Sequence, residues 1–127
     1  MLTVDGRKFN VVIKAGSLQR SFEVAEGAGS LAFINGDVDP DIIGTYYNYS
    51  MEIDTKMTSP EEYDALWEVL SAPVEFHTVS FPYAQDVLTF EARITGGGDS
   101  FYRRINGKNY WGQMSVDFKA KKPQRAP

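Results

Sequence analysis

The residues of this chain that could take part in acid–base chemistry are few and scattered. His77 is the only histidine, its sequence neighbours are Phe76 and Thr78, and the chain contains no cysteine. A histidine that acts as a general base needs a nucleophile within reach and a group that orients its ring. Because neither is recognisable near His77, the sequence predicts a structural or surface role for it. The lack of cysteine excludes a thiolate nucleophile and a zinc–cysteine site.

Three aspartates at alternate positions, Asp37, Asp39 and Asp41, have a spacing that is typical of ligands for a hard cation. An EF-hand loop also requires a glycine at its sixth position and a glutamate at its twelfth. Counted from Asp37, those positions hold Ile42 and Asn48, so the motif is absent. An acidic loop is the favoured interpretation, and an irregular calcium site is the less favoured alternative.

Other candidate motifs also lack the context that their chemistry needs. The "GGGD" sequence at Gly96–Asp99 is not followed by the helix that a phosphate-binding loop requires. The acid pairs Glu52 with Asp54, and Glu61 with Glu62, show nothing that sets two carboxyl groups at the separation of a glycosidase pair. The sequence therefore predicts a protein that is not an enzyme and has no metal or cofactor.

Composition places the chain among single globular domains. It has 127 residues, of which 43% are hydrophobic, so one domain with its own core is expected over residues 1–127. A net charge of −4 argues against a broad electrostatic contact with nucleic acid. The start of the chain has charges inside its apolar stretch, and no apolar run is long enough for a membrane span, so neither a signal peptide nor membrane insertion is predicted.

Alternating apolar and polar residues predict several half-buried strands. An N-terminal hairpin is expected from residues 7–15 and 18–26, joined by "AGS", with further turns at Pro82–Tyr83 and Asn106–Gly107. A strand over residues 74–81 has two candidate faces, one of which carries His77. The residues predicted to lie on the inner faces of the three longest strands are Tyr47, Tyr49, Met51 and Ile53; Leu88, Phe90, Ala92 and Ile94; and Met114, Val116 and Phe118.

One helix is predicted at about residues 60–71. Ser59 is a typical N-cap, Pro60 suits the first helical position, and Glu62 completes a capping box with Ser59. Apolar residues then follow at helical spacing, and Pro73 ends the segment. With one helix and no alternation of strands and helices, the fold class is α+β and mainly β, an antiparallel β-sandwich or small barrel. Flexible loops are expected at about 26–41 and 96–109, with a C-terminal tail at 121–127.

A cluster of aromatic and basic side chains in the second of these loops is a possible interaction surface. Aromatic residues and arginine are enriched at the centres of protein–protein contacts. The alternative is that these residues cap the sheet, and the sequence favours neither. The residues concerned are Phe101, Tyr102, Arg103, Arg104, Tyr110 and Trp111.

Two motifs resemble those of small tail proteins encoded by bacteriophages and prophages of Gram-positive bacteria. One is "DIIGTYYNY" at residues 41–49, and the other is "YDALWEVLSAPVEFHT" at residues 63–78. The similarity extends over residues 41–126, whereas residues 26–40 have no counterpart. It implies a tail-tube-like fold and a non-enzymatic structural role in a virion tail, as a tail-tube, distal-tail or tail-completion protein.

The resemblance also implies partners and a location. These are other copies of the chain in a ring, other phage tail proteins, or both, after synthesis in the cytoplasm of the host bacterium. The alternative function is a carbohydrate-binding module in which Tyr46, Tyr110 and Trp111 are exposed stacking platforms.

Overall fold

A computed structural model describes residues 2–26, 31–32, 38–39 and 42–126. Within these residues the chain forms one short helix and nine strands, all paired antiparallel. The elements are β1 (Leu2–Val4), β2 (Arg7–Phe9), β3 (Gln19–Glu26), β4 (Leu31–Ala32), β5 (Val38–Asp39), β6 (Ile42–Glu52), α1 (Pro60–Leu70), β7 (His77–Tyr83), β8 (Asp86–Ile105) and β9 (Lys108–Ala120).

Seven strands form a single open sheet in the order β2-β1-β7-β8-β9-β6-β3, and β4 pairs with β5 separately. The prediction of a mainly β fold with one helix is therefore confirmed. The described strands form neither two stacked sheets nor a closed barrel, which corrects those two finer alternatives. The physical reason is that one sheet curls around its own core.

The curling is visible in the contact between β6 and β7. The rings of Tyr49 in β6 and Phe81 in β7 stack with centroids 4.7 Å apart. In the sheet order β8 and β9 lie between these strands, so a flat sheet would separate them by about 14 Å at about 4.8 Å per strand. Beyond β2, Asp54 N also donates to Val12 O at 2.7 Å, which links the chain after β2 to the end of β6.

The predicted inner faces of β6, β8 and β9 are confirmed. Tyr49, Met51 and Ile53 are buried, and their neighbours in the core include Phe90, Ala92, Met114, Val116 and Phe118. In β7 the buried face is the one that carries His77, Val79 and Phe81. This strand begins at His77, later than expected, and Val74 before it is exposed.

The helix is confirmed at Pro60–Leu70. Ser59 Oγ accepts a hydrogen bond from Glu62 N at 3.3 Å, so the N-cap acts as predicted. The buried face carries Tyr63, Leu66 and Leu70, which pack against the core of the sheet.

The predicted N-terminal hairpin is wrong in its partners. The strand at Arg7–Phe9 pairs with β1 through a turn at Asp5–Gly6, whereas β3 pairs with β6 at the opposite edge of the sheet. The sequence pattern could not show this, because β1 is too short to display a period. The turn predicted at Pro82–Tyr83 instead lies at Ala84–Gln85, since Tyr83 pairs with Asp86.

The loop predicted at about 96–109 is a strand pair, and the loop predicted at about 26–41 is described only in part. The segment at about 96–109 belongs to the β8–β9 hairpin, with a tight turn at Asn106–Gly107. Of the segment at 26–41, residues 31–32 pair with 38–39 and Glu26 ends β3; the remainder, including Asp37 and Asp41, lies outside the described residues.

Within the predicted tail, Gln124 and Arg125 pair with β6. Thr45 N donates to Arg125 O at 2.8 Å, and Gln124 Oε1 accepts from Tyr47 N at 2.8 Å. Gln124 Nε2 also donates to Tyr47 O at 2.9 Å, so the glutamine side chain acts as an added strand partner.

Candidate interaction surfaces

The first candidate surface is the arm, which we define as residues 100–112 at the distal end of the β8–β9 hairpin. Its strands pair from Ser100 opposite Gly112 to Ile105 opposite Lys108. Asn106 and Gly107, with φ of 50° and 79°, form the two-residue turn that the right-handed twist of a hairpin favours. The sequence pattern predicted this turn.

The structure brings the six predicted surface residues together on the arm. Phe101 and Trp111 lie opposite each other, with ring centroids 5.2 Å apart in an edge-to-face arrangement. The guanidinium carbon of Arg103 lies 5.0 Å from the ring centroid of Tyr102. Arg104 donates to Asn109 Oδ1 at 2.7 Å.

These side chains differ in exposure. Phe101 and Tyr102 are 53% and 65% exposed, whereas Tyr110 is half-buried and lies with Trp111 near the start of α1. The arm is held to the helix by Lys108, whose Nζ lies 2.8 Å from Glu61 Oε1. Part of the cluster therefore lies near the helix and part is exposed to solvent, and the interaction surface stays a prediction.

Beta-bulges explain how a glycine-rich segment remains in a strand. The register of β8 against β9 shifts between Ile94 and Gly96, between Gly98 and Ser100, and between Phe101 and Arg103. A bulge adds one residue and turns its side chain in a new direction. At the second bulge this residue is Asp99, whose Oδ2 accepts a hydrogen bond from Tyr63 Oη of α1 at 2.8 Å.

A groove between α1 and the base of the arm is the second candidate surface. We call it the acidic groove, and its volume is about 380 Å³. The sequence pattern did not predict this groove, because its residues lie on α1, β8 and β9 and come together only in the fold. Its lining residues are Tyr63, Asp64, Trp67, Glu68, Asp99 and Trp111.

The third candidate surface is the edge strand β3. One side of this strand pairs with β6 along its whole length, and among the described residues no strand pairs with its other side. Phe22 is 74% exposed and Val24 is 52% exposed. Phe22 and Val24 lie on the same face of β3, opposite Tyr47 and Thr45 of β6, and are exposed because the core does not extend over this edge.

The residues weighed for catalysis or stacking do not come together in the structure. His77 is buried, and its Nδ1 lies 2.6 Å from Asp5 Oδ2 in the β1–β2 turn. Because Tyr49 lies opposite Phe118, Tyr46 is about ten residue positions along the sheet from Trp111. At about 3.3 Å per residue this corresponds to about 30 Å, too far for one continuous stacking strip.

The described part of the chain has neither a cluster of metal ligands nor a membrane-spanning helix. No group of three or more histidine, aspartate or glutamate residues there has an arrangement that could hold a metal ion. The same residues contain no helix with the length and apolar character needed to cross a membrane.

Comparisons with protein-family models, curated proteins and solved structures found no match to this chain.

Proposed function

We propose that this protein is a non-enzymatic structural component of a bacteriophage or prophage tail, and that it assembles with copies of itself through the open edge of β3. The exposed β3 edge carries this proposal. An eight-residue edge strand with exposed Phe22 and Val24 offers backbone hydrogen-bonding groups and apolar side chains together. Such edges pair readily with another chain, and folded proteins usually protect them.

The arm supports the same proposal. It presents exposed aromatic side chains, Phe101 and Tyr102, next to Arg103. An edge strand and a projecting hairpin are different surfaces, so a contact between one and the other on a neighbouring copy is head-to-tail. Head-to-tail contacts produce rings when the rotation closes. The tail setting rests on the resemblance of residues 41–126 to phage tail proteins, with other tail proteins as further partners.

The first test is the solution mass of the purified protein as a function of concentration, measured by light scattering and native mass spectrometry. Assembly through β3 predicts a ring-sized or larger species that dissociates on dilution. The double variant Phe22→Lys/Val24→Lys should remain monomeric, because lysine on an edge strand opposes pairing. A strictly monomeric wild-type protein at high concentration would contradict self-assembly.

A matched control uses lysines on exposed apolar residues away from the β3 edge. Val74 and Val87 are 55% and 62% exposed, so Val74→Lys/Val87→Lys adds the same charge. This variant should assemble like the wild type. The tail setting has a separate test in gene neighbourhood, where adjacency to tape-measure or portal genes supports it and a setting among unrelated metabolic genes opposes it.

A further inference from the structure

The acidic groove combines aromatic walls with carboxylates. Tyr63, Trp67 and Trp111 supply the aromatic surface, and Asp64 and Glu68 lie on α1 beside them. Asp99 reaches the groove from β8, where its bond to Tyr63 Oη fixes its position. None of the lining residues is cationic.

The carboxylates of this region repel one another. Burial raises the pKa of Asp64, and the charges of Glu61, Asp99 and Glu68 raise it further. The nearby cation Lys108 is bonded to Glu61 at the start of the helix and does not line the groove. A bound positive charge would therefore relieve an unfavourable interaction that exists in the free protein.

We propose that the acidic groove binds the guanidinium group of an arginine side chain on a partner protein. A guanidinium is planar, stacks on aromatic rings, and offers forked donors that match carboxylates. It is also less strongly hydrated than an ammonium group, so it loses less on entering a groove walled by indole rings. This site is separate from the β3 edge and adds a second, chemically different contact to the proposed function.

The two walls of the groove come from different parts of the fold, which makes the site specific to the folded protein. Trp67 and Glu68 belong to α1, whereas Trp111 belongs to β9. The hydrogen bond between Tyr63 and Asp99 joins α1 to β8 at the groove. The carboxylates and the aromatic rings therefore line the same groove, whose volume is about 380 Å³.

Trp67 and Trp111 are the only two tryptophans in the chain, and both line the groove. Tryptophan fluorescence and the two indole N–H signals in NMR spectra therefore report on this site.

The probes are N-acetyl-arginine amide, N-acetyl-lysine amide and the neutral N-acetyl-citrulline amide, titrated at constant ionic strength. We expect a saturable response to the arginine probe, a midpoint at least about threefold higher for lysine, and no saturable response to citrulline. Equal responses to arginine and citrulline would overturn the proposal.

Charge-removing variants provide the second arm of the test. Asp64→Asn/Glu68→Gln should raise the arginine midpoint by about tenfold or more, because both charges face the guanidinium. The control Asp86→Asn/Glu75→Gln removes the same charge from exposed positions outside both the groove and β3, and should leave the midpoint within about twofold. An unchanged midpoint in the groove variant, or an equal loss in both, overturns the proposal. Since all four residues are exposed, the variants should fold, which circular dichroism checks.

The titrations are done on monomeric protein at low concentration, which separates this proposal from the function proposed above. Phe22→Lys/Val24→Lys should lose self-assembly and keep the wild-type arginine midpoint. Loss of arginine binding in that variant would contradict an independent groove, whereas a monomeric wild type that binds arginine would contradict only self-assembly. Light scattering of the protein with and without 50-fold excess of an arginine-containing peptide then tests for a self-contact. A peptide that dissolves the oligomer shows that the arginine comes from a second copy, and an unchanged oligomer shows that the groove does not hold the oligomer together.

Discussion

Tyr63 Oη donates a hydrogen bond to Asp99 Oδ2 at 2.8 Å, and this bond joins the buried face of α1 to a bulge of β8. Burial raises the pKa of Tyr63, and the hydrogen bond and negative charge of Asp99 raise it further, so the phenol stays protonated as a donor. The helix and the base of the arm are thereby linked at the point where the acidic groove forms.

Removing this link should weaken the fold modestly. Tyr63→Phe keeps the ring and removes the hydroxyl, so we expect a loss of about 1 kcal/mol in the free energy of unfolding, measured with urea. Tyr102→Phe is the control, because Tyr102 is 65% exposed and should change stability by less than about 0.5 kcal/mol. Equal stability of Tyr63→Phe and wild type would mean that the bond contributes nothing.

Gly44 should be required for docking of the C-terminal tail. Its φ is 150°, and a Cβ at this position would lie 2.5 Å from Arg125 O and 2.8 Å from Pro123 Cβ. Gly44→Ala should therefore weaken the docking of the tail. If the free energy of docking falls by about 1.4 kcal/mol, trypsin should cleave after Lys121 about tenfold faster.

The control for that experiment is Gly98→Ala, since a Cβ at Gly98 meets nothing within 4 Å. This variant should be cleaved at the wild-type rate. The rate is measured by mass spectrometry of the released peptide. Wild-type cleavage of Gly44→Ala would show that the tail docks without the close approach at Gly44.

The turn at Asp5 should make stability depend on pH in the acidic range. Partial burial acts to raise the pKa of Asp5, but hydrogen bonds from His77 and from Thr78 N outweigh it, and the net pKa is lowered. A lowered folded-state pKa stabilises the protein above the unfolded value of about 3.8, and this contribution disappears as the pH falls through the lower folded value.

Asp5→Asn tests this expectation. Asparagine tolerates the positive φ of 52° at this position, so the substitution removes mainly the charge. We expect the variant to be less stable than wild type at pH 6, with the difference shrinking as the pH falls below about 4. A difference that stays constant from pH 6 to pH 3 would argue against a role of the Asp5 charge.

Leu66 should be the main anchor of α1. It is fully buried in the core cluster, so Leu66→Ala should lower the free energy of unfolding by about 2–5 kcal/mol through lost burial and a residual cavity. Glu68→Ala, on the exposed side of the same helix, is the control and should change stability by less than about 0.5 kcal/mol. Urea denaturation measures the free energy of unfolding of both variants. Similarly small losses of stability in the two would mean that the helix is not anchored by its apolar face.

Local patterns were informative wherever one residue type dictates a backbone geometry or one face is buried. Ser59 and Pro60 predicted the start of α1 because capping groups satisfy the free N–H groups there. Alternation predicted the inner faces of β6, β8 and β9, since successive side chains of a strand point to opposite faces.

Local patterns failed where the outcome depended on a distant partner. Glycines at 96–98 favoured a loop, but bulges against β9 keep this segment in a strand. The residues after Ala15 resembled the second strand of a hairpin, but β3 pairs with eight residues of β6 instead. Residues 96–98 pair with residues 115–117, and β3 pairs with a strand that follows β4 and β5, so periodicity within either segment could not show these partners.

The sequence by itself determined the single helix, the mainly β composition and the inward residues, because these follow from capping, turn geometry and the two-residue period of a strand. Only the tertiary structure decided which strands became the edges, how the sheet curled to stack Tyr49 on Phe81, and how Asp99 came to meet Tyr63. Those relationships join residues far apart in the chain, and they arise because the whole sheet must bury one continuous core.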